Sequence, residues 1–388
     1  MLYERWLATV RARRNELAVR DFATGQRWTF AQLAARVESP RRRAQGLVHP
    51  QGHGVDFLIS VLRGWHAGGV VCPLEAGQKP PFIPKPPANC AHLKTTSATT
   101  GAPRMIMFTA EQLIADAENI VAAMGLRTDW PNLAAISLAH SYGFSNIVLT
   151  LLLQGIPLLL APAALPDTLR RVAAGEPGLT LPAVPVLWRA WHEARAIPAG
   201  VRLALSAGAP LPLALERDIF TSTGIKVHNF YGASECGGIA YDGTIRPRQT
   251  DALVGRPLNN VALSVARSGC LVVRSPAVGL GYWPRPDPAL RDGCFRTSDL
   301  VQLRRGAVLL RGRVGDQINV AGRKFSPQAV ERVLAACGGV EDSLVFGVPG
   351  RLERAEQVVA CVVARPTLKL ERLKHFAAER LPYLPLGF

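Results

Sequence analysis

Acidic residues are scarce in this chain of 388 residues: 29 stand against 45 basic ones, a formal net charge of +16, and arginine far outnumbers lysine. That balance argues against cationic partners and suits anionic ones such as nucleotides, coenzyme A, acidic carrier proteins, nucleic acid or membrane surfaces. The densest basic patch, Arg41 to Gln45, is short and has no interleaved aromatics, so no nucleic-acid partner is expected. Cysteine is sparse. Cys72, Cys90, Cys236, Cys270, Cys294, Cys337 and Cys361 lie far apart with no C-x-x-C pair. This spacing indicates neither a zinc knuckle nor a disulfide framework and fits a reducing, cytoplasmic setting. The N-terminal segment MLYERWLATVRARRNELAV has no apolar stretch of signal-peptide type. Low-complexity tracts and solenoid-length repeats are missing as well. One apolar run, Asn146 to Leu165, approaches the length of a membrane span, but Gln154-Gly155-Ile156-Pro157 breaks it. It predicts a buried helix, a turn and a buried strand, with no membrane span.

What is present is a layered pattern. The length exceeds one compact core and suggests two or more domains. WTFAQLAARVE has apolar residues at helical spacing with Thr29 placed to cap them, and VDFLISVLRGWHAGGVVCPLE predicts a helix, a glycine break and a short buried strand. Lys79 to Pro87 is proline-rich and is expected to be a loop. From Met105 to Leu205, apolar strand and helix patterns alternate, which predicts an α/β fold with a largely parallel sheet. From about Asn260 short β-rich runs take over, VALSV, LVVRS and GAVLLRGR. After Gly322 a capped helix, a strand and a basic helix follow. The expected organisation is a large N-terminal domain, residues 1–311, of layered αβ subdomains plus a β-rich subdomain. A small, mobile α+β domain, residues 316–388, follows it.

Three stretches carry chemistry. TSATTGAPRM, Thr96 to Met105, offers hydroxyls, close backbone N–H groups and the fixed charge of Arg104 to phosphate oxygens, although it does not fit a Walker loop. Taken alone it is equally an ordinary polar turn. NFYGASECGG, Asn229 to Gly238, places an aromatic for stacking on a planar base (Tyr231) beside a carboxylate suited to Mg²⁺ (Glu235); alone it reads equally as a strand-end turn. FRTSDLVQL with LLRGRVGDQINVAGRKFSP supplies Asp299, an acceptor for vicinal ribose hydroxyls, and Arg313, a donor to ribose or phosphate; both also suit β-turns.

Together and in this order, the three stretches resemble the adenylate-forming superfamily of acyl- and aryl-CoA synthetases, peptide-synthetase adenylation domains and luciferase. The family's T-S-G-[ST]-T-G-x-P-K-G matches Thr96 to Met105, its Y-G-x-T-E matches Tyr231 to Glu235, and its T-G-D matches Thr297-Ser298-Asp299. Its G-R-x-x-D-x-I-K-x-x-G matches Gly312 to Gly322. HSYGF at His140 to Phe144, SAGAPL at Ser206 to Leu211 and VGLGYW at Val278 to Trp283 agree, so the resemblance covers nearly the whole chain.

The resemblance implies ATP-dependent activation of a carboxylic acid, fatty or aryl, to acyl-AMP with release of pyrophosphate. Transfer follows to a thiol, of coenzyme A or of a carrier protein's phosphopantetheine. It implies that Thr96, Ser97, Thr99, Thr100, Gly101 and Arg104 line the phosphates, that Ser234 touches the α-phosphate and that Glu235 holds Mg²⁺. Tyr231 with Gly232, and the Gly208-Ala209-Pro210 backbone, would flank the adenine, while Asp299 and Arg313 would hold the ribose. His140, Tyr142, Gly143, Ser206, Gly237 and Gly238 would line the acyl pocket, with His140 at the carboxylate end and the two later glycines leaving room for an aryl ring or alkyl chain. No acidic residue among these holds an α-amino group, which disfavours an amino-acid substrate. Gly322 would border the pantetheine channel and Gly315 would be the hinge.

The chain departs from the family pattern in three places. Arg104 stands for the family's lysine and Met105 for its glycine, Gly315 replaces a charged hinge residue, and the last segment, LPYLPLGF, carries no G-K pair. The family's lysine at that G-K acts in adenylation. The second reading is therefore a relative that binds nucleotide and acyl group without adenylating.

Overall fold

The computed structural model describes residues 1–38, 46–81, 83, 89–95, 104–320, 323–349, 356–382, 384 and 386–388. They form two units, Met1–Leu263 with Val272–Arg296, and Ser264–Leu271 with Thr297–Phe388.

The first unit is built on two sheets. One contains the strands Leu17–Asp21, Leu158–Leu160, Asn132–Ala134, Leu179–Ala183, Val201–Ser206 and Val227–Ala233, paired in parallel in that order. Buried on both faces, these strands are near-continuous apolar runs. Helices Pro166–Ala173, Pro185–Glu193 and Leu213–Thr223 cover them, with Trp188, Trp191, Leu181 and Ile219 in the shared core. The sheet turns antiparallel at Gly237–Tyr241 and Leu253–Pro257. The second sheet runs Gly281–Trp283, Met105–Phe108, His92–Thr95, Val70–Val71 and Leu47–Val48. The predicted α/β class and largely parallel sheet are what the chain adopts.

Local signals explain several boundaries. Thr29 and Gln32 bond reciprocally at the start of helix Phe30–Glu38, the Thr29 hydroxyl accepting from Gln32 N at 3.2 Å and Gln32 Oε1 accepting from Thr29 N at 2.8 Å. The long apolar run becomes a π-helical turn Phe144–Leu149, a helix Thr150–Gln154 and the buried strand Leu158–Leu160. Gly155, at φ +72°, makes the left-handed stop between helix and strand. Among the described residues, no helix is long and apolar enough to cross a membrane.

A buried charge network ties helix Leu213–Thr223 to the strands beside it. Glu216 accepts from Lys226 Nζ (2.5 Å) and Arg248 Nε (2.7 Å), and Lys226 also donates to Asp242 (2.7 Å). Arg248 then donates to the carbonyls of Leu211 (2.6 Å) and Leu253 (2.7 Å), fixing the end of the SAGAPL segment.

In the second unit, Ala307–Arg313 forms a hairpin with the strand Cys294–Arg304. Val340–Pro349, Glu356–Ala364 and Leu386–Gly387 make a small sheet packed by helices Pro327–Ala335 and Leu370–Arg380 through Val330, Leu334, Val345 and Leu373. Ser326 sits at the N-cap of the first of these helices, as expected, but its hydroxyl donates to Gln328 Oε1 (2.9 Å) and makes no capping bond.

Candidate functional site

Strand Val227–Ala233 returns as Gly237–Tyr241, so Ser234, Glu235 and Cys236 form a tight turn at its carboxyl end. The turn is closed by glycine at its last corner. Gly237 has φ +67°, and an added Cβ would lie 2.0 Å from Asp116 Oδ1. Asp116 comes from helix Ala110–Met124, is 2% exposed, and accepts from Gly238 N (3.1 Å) and from the Ser145 hydroxyl (2.6 Å). The space beside Gly237 that the sequence assigned to substrate is thus taken by a carboxylate.

The HSYGF segment meets this turn directly, since Ser141 Oγ donates to Ser234 Oγ at 2.9 Å across 93 residues of sequence. His140 opens the short helical turn, its Nδ1 accepting from Tyr142 N (3.3 Å), which leaves the neutral ring's N–H on Nε2. Gly143 is required here because a Cβ would fall 1.9 Å from the Ser137 carbonyl oxygen. Ser206 ends the neighbouring parallel strand in register with Asn229 and is fully buried. Gly208-Ala209-Pro210 follows as an exposed loop beside the end of the strand that carries Tyr231 and Gly232. Crevices at the carboxyl ends of parallel strands are where α/β sheets bind ligands.

Glu235 links the two sheets of this unit. Its Oε1 accepts from the Tyr282 hydroxyl at 2.7 Å, and its carbonyl accepts from Gly279 N at 2.9 Å. Burial and the Glu235 carboxylate push the Tyr282 phenol far above its ordinary range, so it remains a donor. Arg104 lies over the Tyr282 ring at 4.1 Å and pairs with Asp287 at 2.8 Å. The guanidinium holds the Asp287 carboxyl below its ordinary value. Burial, with Glu235 and Asp116 nearby, holds the Cys236 thiol protonated and unreactive.

A divalent cation fits Glu235. Its second carboxylate oxygen has no hydrogen bond among the described residues, and the side chain is half-buried beside the turn. No cluster of three or more His, Cys, Asp or Glu side chains that could cage a metal occurs among the described residues. Such a site suits Mg²⁺, which combines one or two carboxylates with substrate phosphates and water.

In the second unit, Asp299 and Arg313 face each other as register partners of the hairpin, with Arg313 Nε 3.3 Å from Asp299 Oδ1 and 2.8 Å from Ser298 Oγ. Gly315 follows at φ +96° with open space around it. Thr96, Ser97, Thr99, Thr100 and Gly101 of the phosphate loop, and Gly322, lie outside the described residues.

Sequence reasoning left Ser141, Tyr282, Asp287 and Asp116 without roles. Asp116 was the most legible of these, since it falls at a core position of a helix whose Leu113, Ala117 and Ile120 are buried.

Burial also shapes the acid response. His92 and His228 are held neutral, below the ordinary histidine range, chiefly by burial. Lys94 adds to the depression at His92; at His228, the backbone carbonyl of Asp242 opposes it. The unfolded chain then binds more protons than the folded one below pH ~6.5, so stability is lost as pH falls, by about 1.4 kcal/mol per pH unit for each ring that stays neutral. Urea titrations between pH 7 and 5 are expected to show this slope, and His92→Phe should remove one ring's share of it. An unchanged slope in that variant would rule out the burial of a neutral His92.

Comparisons with known proteins bear on the family and the fold. Residues 60–283 match the model of the family described as AMP-binding enzyme. A probable 2-succinylbenzoate–CoA ligase of Mycobacterium tuberculosis is 31% identical over 305 residues, covering 74% of this chain and 75% of that protein. A long-chain-fatty-acid–CoA ligase of Bacillus subtilis is 27% identical over 328 residues, covering 78% of this chain but 58% of that longer protein. Among solved structures, ATP-bound MatB from Rhodopseudomonas palustris shares the fold, with a TM-score of 0.86 over 100% of this chain and 94% of that one at 22% identity.

Proposed function

The chain belongs to the AMP-binding enzyme family, and from that premise we propose that it is an acid–thiol ligase. A carboxylate oxygen attacks the α-phosphorus of ATP, the bond to the β-phosphate oxygen breaks, and pyrophosphate leaves an acyl-adenylate. A thiolate then displaces AMP. Coenzyme A is the proposed thiol, in keeping with the two curated relatives described above, each named as a CoA ligase. An aryl or fatty acid is the proposed acyl donor, and the acceptor is best distinguished by offering coenzyme A and a holo carrier protein side by side.

One observation carries the reading. The HSYGF, YGASE and VGLGYW segments and Arg104, far apart in sequence, meet through Ser141–Ser234, Tyr282–Glu235 and Arg104–Tyr282. The substrate carboxylate is already ionised at neutral pH, so the work left to the protein is positioning and charge neutralisation. Ser234 would contact the α-phosphate, Arg104 and the loop before it the outer phosphates, and Tyr231 the adenine. Asp299 and Arg313 would hold the ribose, His140 would stand at the carboxylate, and Gly315 would be the hinge of the domain 316–388. Mg²⁺, held by Glu235, would neutralise the phosphate oxygens.

Pyrophosphate release from ATP and Mg²⁺ is the test, run over a panel of aryl and fatty acids without thiol. Release is expected only with acid present, at a rate that depends on which acid is supplied. ATP binding without release for any acid would instead support the reading of a non-adenylating relative.

A further inference from the structure

The turn that carries Ser234 and Glu235 has little to hold it in its own backbone. Cys236 N donates to the Ala233 carbonyl at 3.2 Å, which makes Ser234 and Glu235 the two central residues of a β-turn. Glu235 is tied to the second sheet through Tyr282 and Gly279. The Ser234 end and the Gly238 end are tied elsewhere, and both ties lead to one helical segment.

That segment starts at Ser141 and continues through the π-helical stretch Phe144–Leu149. Ser141 Oγ donates to Ser234 Oγ at 2.9 Å, and the Ser234 hydroxyl has no other hydrogen-bond partner among the described residues. Ser145, four residues on, donates to Asp116 Oδ2 at 2.6 Å, while Asp116 Oδ1 accepts from Gly238 N at 3.1 Å. Residues four apart on a helix are neighbours on its surface, so one face of the segment meets both ends of the turn. The segment is itself anchored to the sheet. Asn132 Nδ2 donates to the Asn146 carbonyl at 3.1 Å and to the Thr150 hydroxyl at 3.2 Å, and Asn146 Nδ2 donates to the Tyr142 carbonyl at 3.2 Å. π-Helical turns set into α-helices recur at functional sites.

The direction of donation matters. The phosphate oxygens of ATP accept hydrogen bonds, so Ser234 has to spend its own proton on the α-phosphate. Because Ser141 donates into Ser234 Oγ, that proton stays available, and the polarised hydroxyl is the stronger donor. Resting on the acid-ligase reading above, we propose that Ser141 and Ser145 are positioning residues for adenylation. Ser141 acts directly on Ser234, and Ser145 acts on Gly238 through Asp116. The two rungs set where the Ser234 hydroxyl and the Glu235 carboxylate stand before ATP arrives, so that neither has to be ordered during the reaction.

The test removes the rungs singly and together. Ser141→Ala and Ser145→Ala are each expected to lower kcat for acid-dependent pyrophosphate release by ~5-fold to 10-fold, and the double variant by on the order of 10²-fold, the scale of a misplaced reacting geometry. The KM for ATP at saturating Mg²⁺ should stay within about 3-fold of wild type, because what is lost is expressed in the transition state. The Mg²⁺ concentration for half-maximal activity should rise in the double variant, since Glu235 rides on the loosened turn. Asp116→Asn is the conservative arm. Its amide oxygen accepts from Gly238 N and its amide nitrogen donates to the Ser145 hydroxyl, so the rung survives and kcat should remain within about 3-fold of wild type. Thermal unfolding separates positioning from bulk stability. A double variant with a lower Tm but wild-type kcat at a temperature where it is folded overturns the proposal. So does an Asp116→Asn loss as large as that of the double variant.

If no acid supports release by wild type, the acid-ligase reading fails on its own. Calorimetric titration of ATP at limiting Mg²⁺ into wild type and the double variant then decides the positioning: weaker binding by the variant supports it, and equal affinity overturns it.

Discussion

Glu235→Gln is expected to reduce acid-dependent pyrophosphate release by on the order of 10²-fold to 10³-fold, the scale seen when one preorganised electrostatic group is lost from an active site. The substitution is chosen because the amide oxygen still accepts from Tyr282, whose hydroxyl lies 2.7 Å from Glu235 Oε1. The link between the two sheets is kept and only the charge is removed. Thermal stability should therefore change little. The loss should appear in kcat, and the Mg²⁺ concentration for half-maximal activity should rise, since a neutral amide is a poorer ligand for a hard cation. Tyr282→Phe supplies the converse: the charge stays and its anchor goes, so a smaller loss, on the order of 10-fold, is expected without a comparable Mg²⁺ shift. If Glu235→Gln retained near wild-type rates at low Mg²⁺, Glu235 would be a structural acceptor for Tyr282 and the metal would have to be held elsewhere.

The largest stability effect is expected at Glu216→Ala, a loss of about 3–5 kcal/mol of unfolding free energy. Glu216 is fully buried and accepts from both Lys226 and Arg248, and with Asp242 the network holds two cations against two carboxylates. Removing Glu216 leaves Lys226 with Asp242 alone and takes from Arg248 the carboxylate that aims it at the Leu211 and Leu253 carbonyls. Glu216→Gln should be milder, because hydrogen bonds survive while the charge is lost. Urea denaturation of the three proteins measures this directly. A loss below about 1 kcal/mol for the alanine variant would mean that water or neighbouring side chains compensate the buried cations.

The helix and strand succession was legible because its signals are local. The Thr29–Gln32 pair at a helix start, the apolar periodicity and Gly155 at a helix end each act within a few residues. The motif residues were legible as short strings, but the pairing of Asp299 with Arg313 across a hairpin was not. What escaped was set by distance. Tyr282 reaches Glu235 across 47 residues and Ser141 reaches Ser234 across 93. Asp116 reaches Gly238 across 122, and no local rule joins such positions. Gly237 was read as space for substrate because a glycine's missing side chain looks the same in sequence whether a ligand or a carboxylate fills the gap.

That last contact limits how the enzyme's substrate range can be altered. Position 237 tolerates no side chain while Asp116 stands behind it, and its left-handed backbone disfavours one regardless. A mutational search for new acid preferences gains nothing from single substitutions there. The productive route runs through paired changes that shorten residue 116 before residue 237 is enlarged.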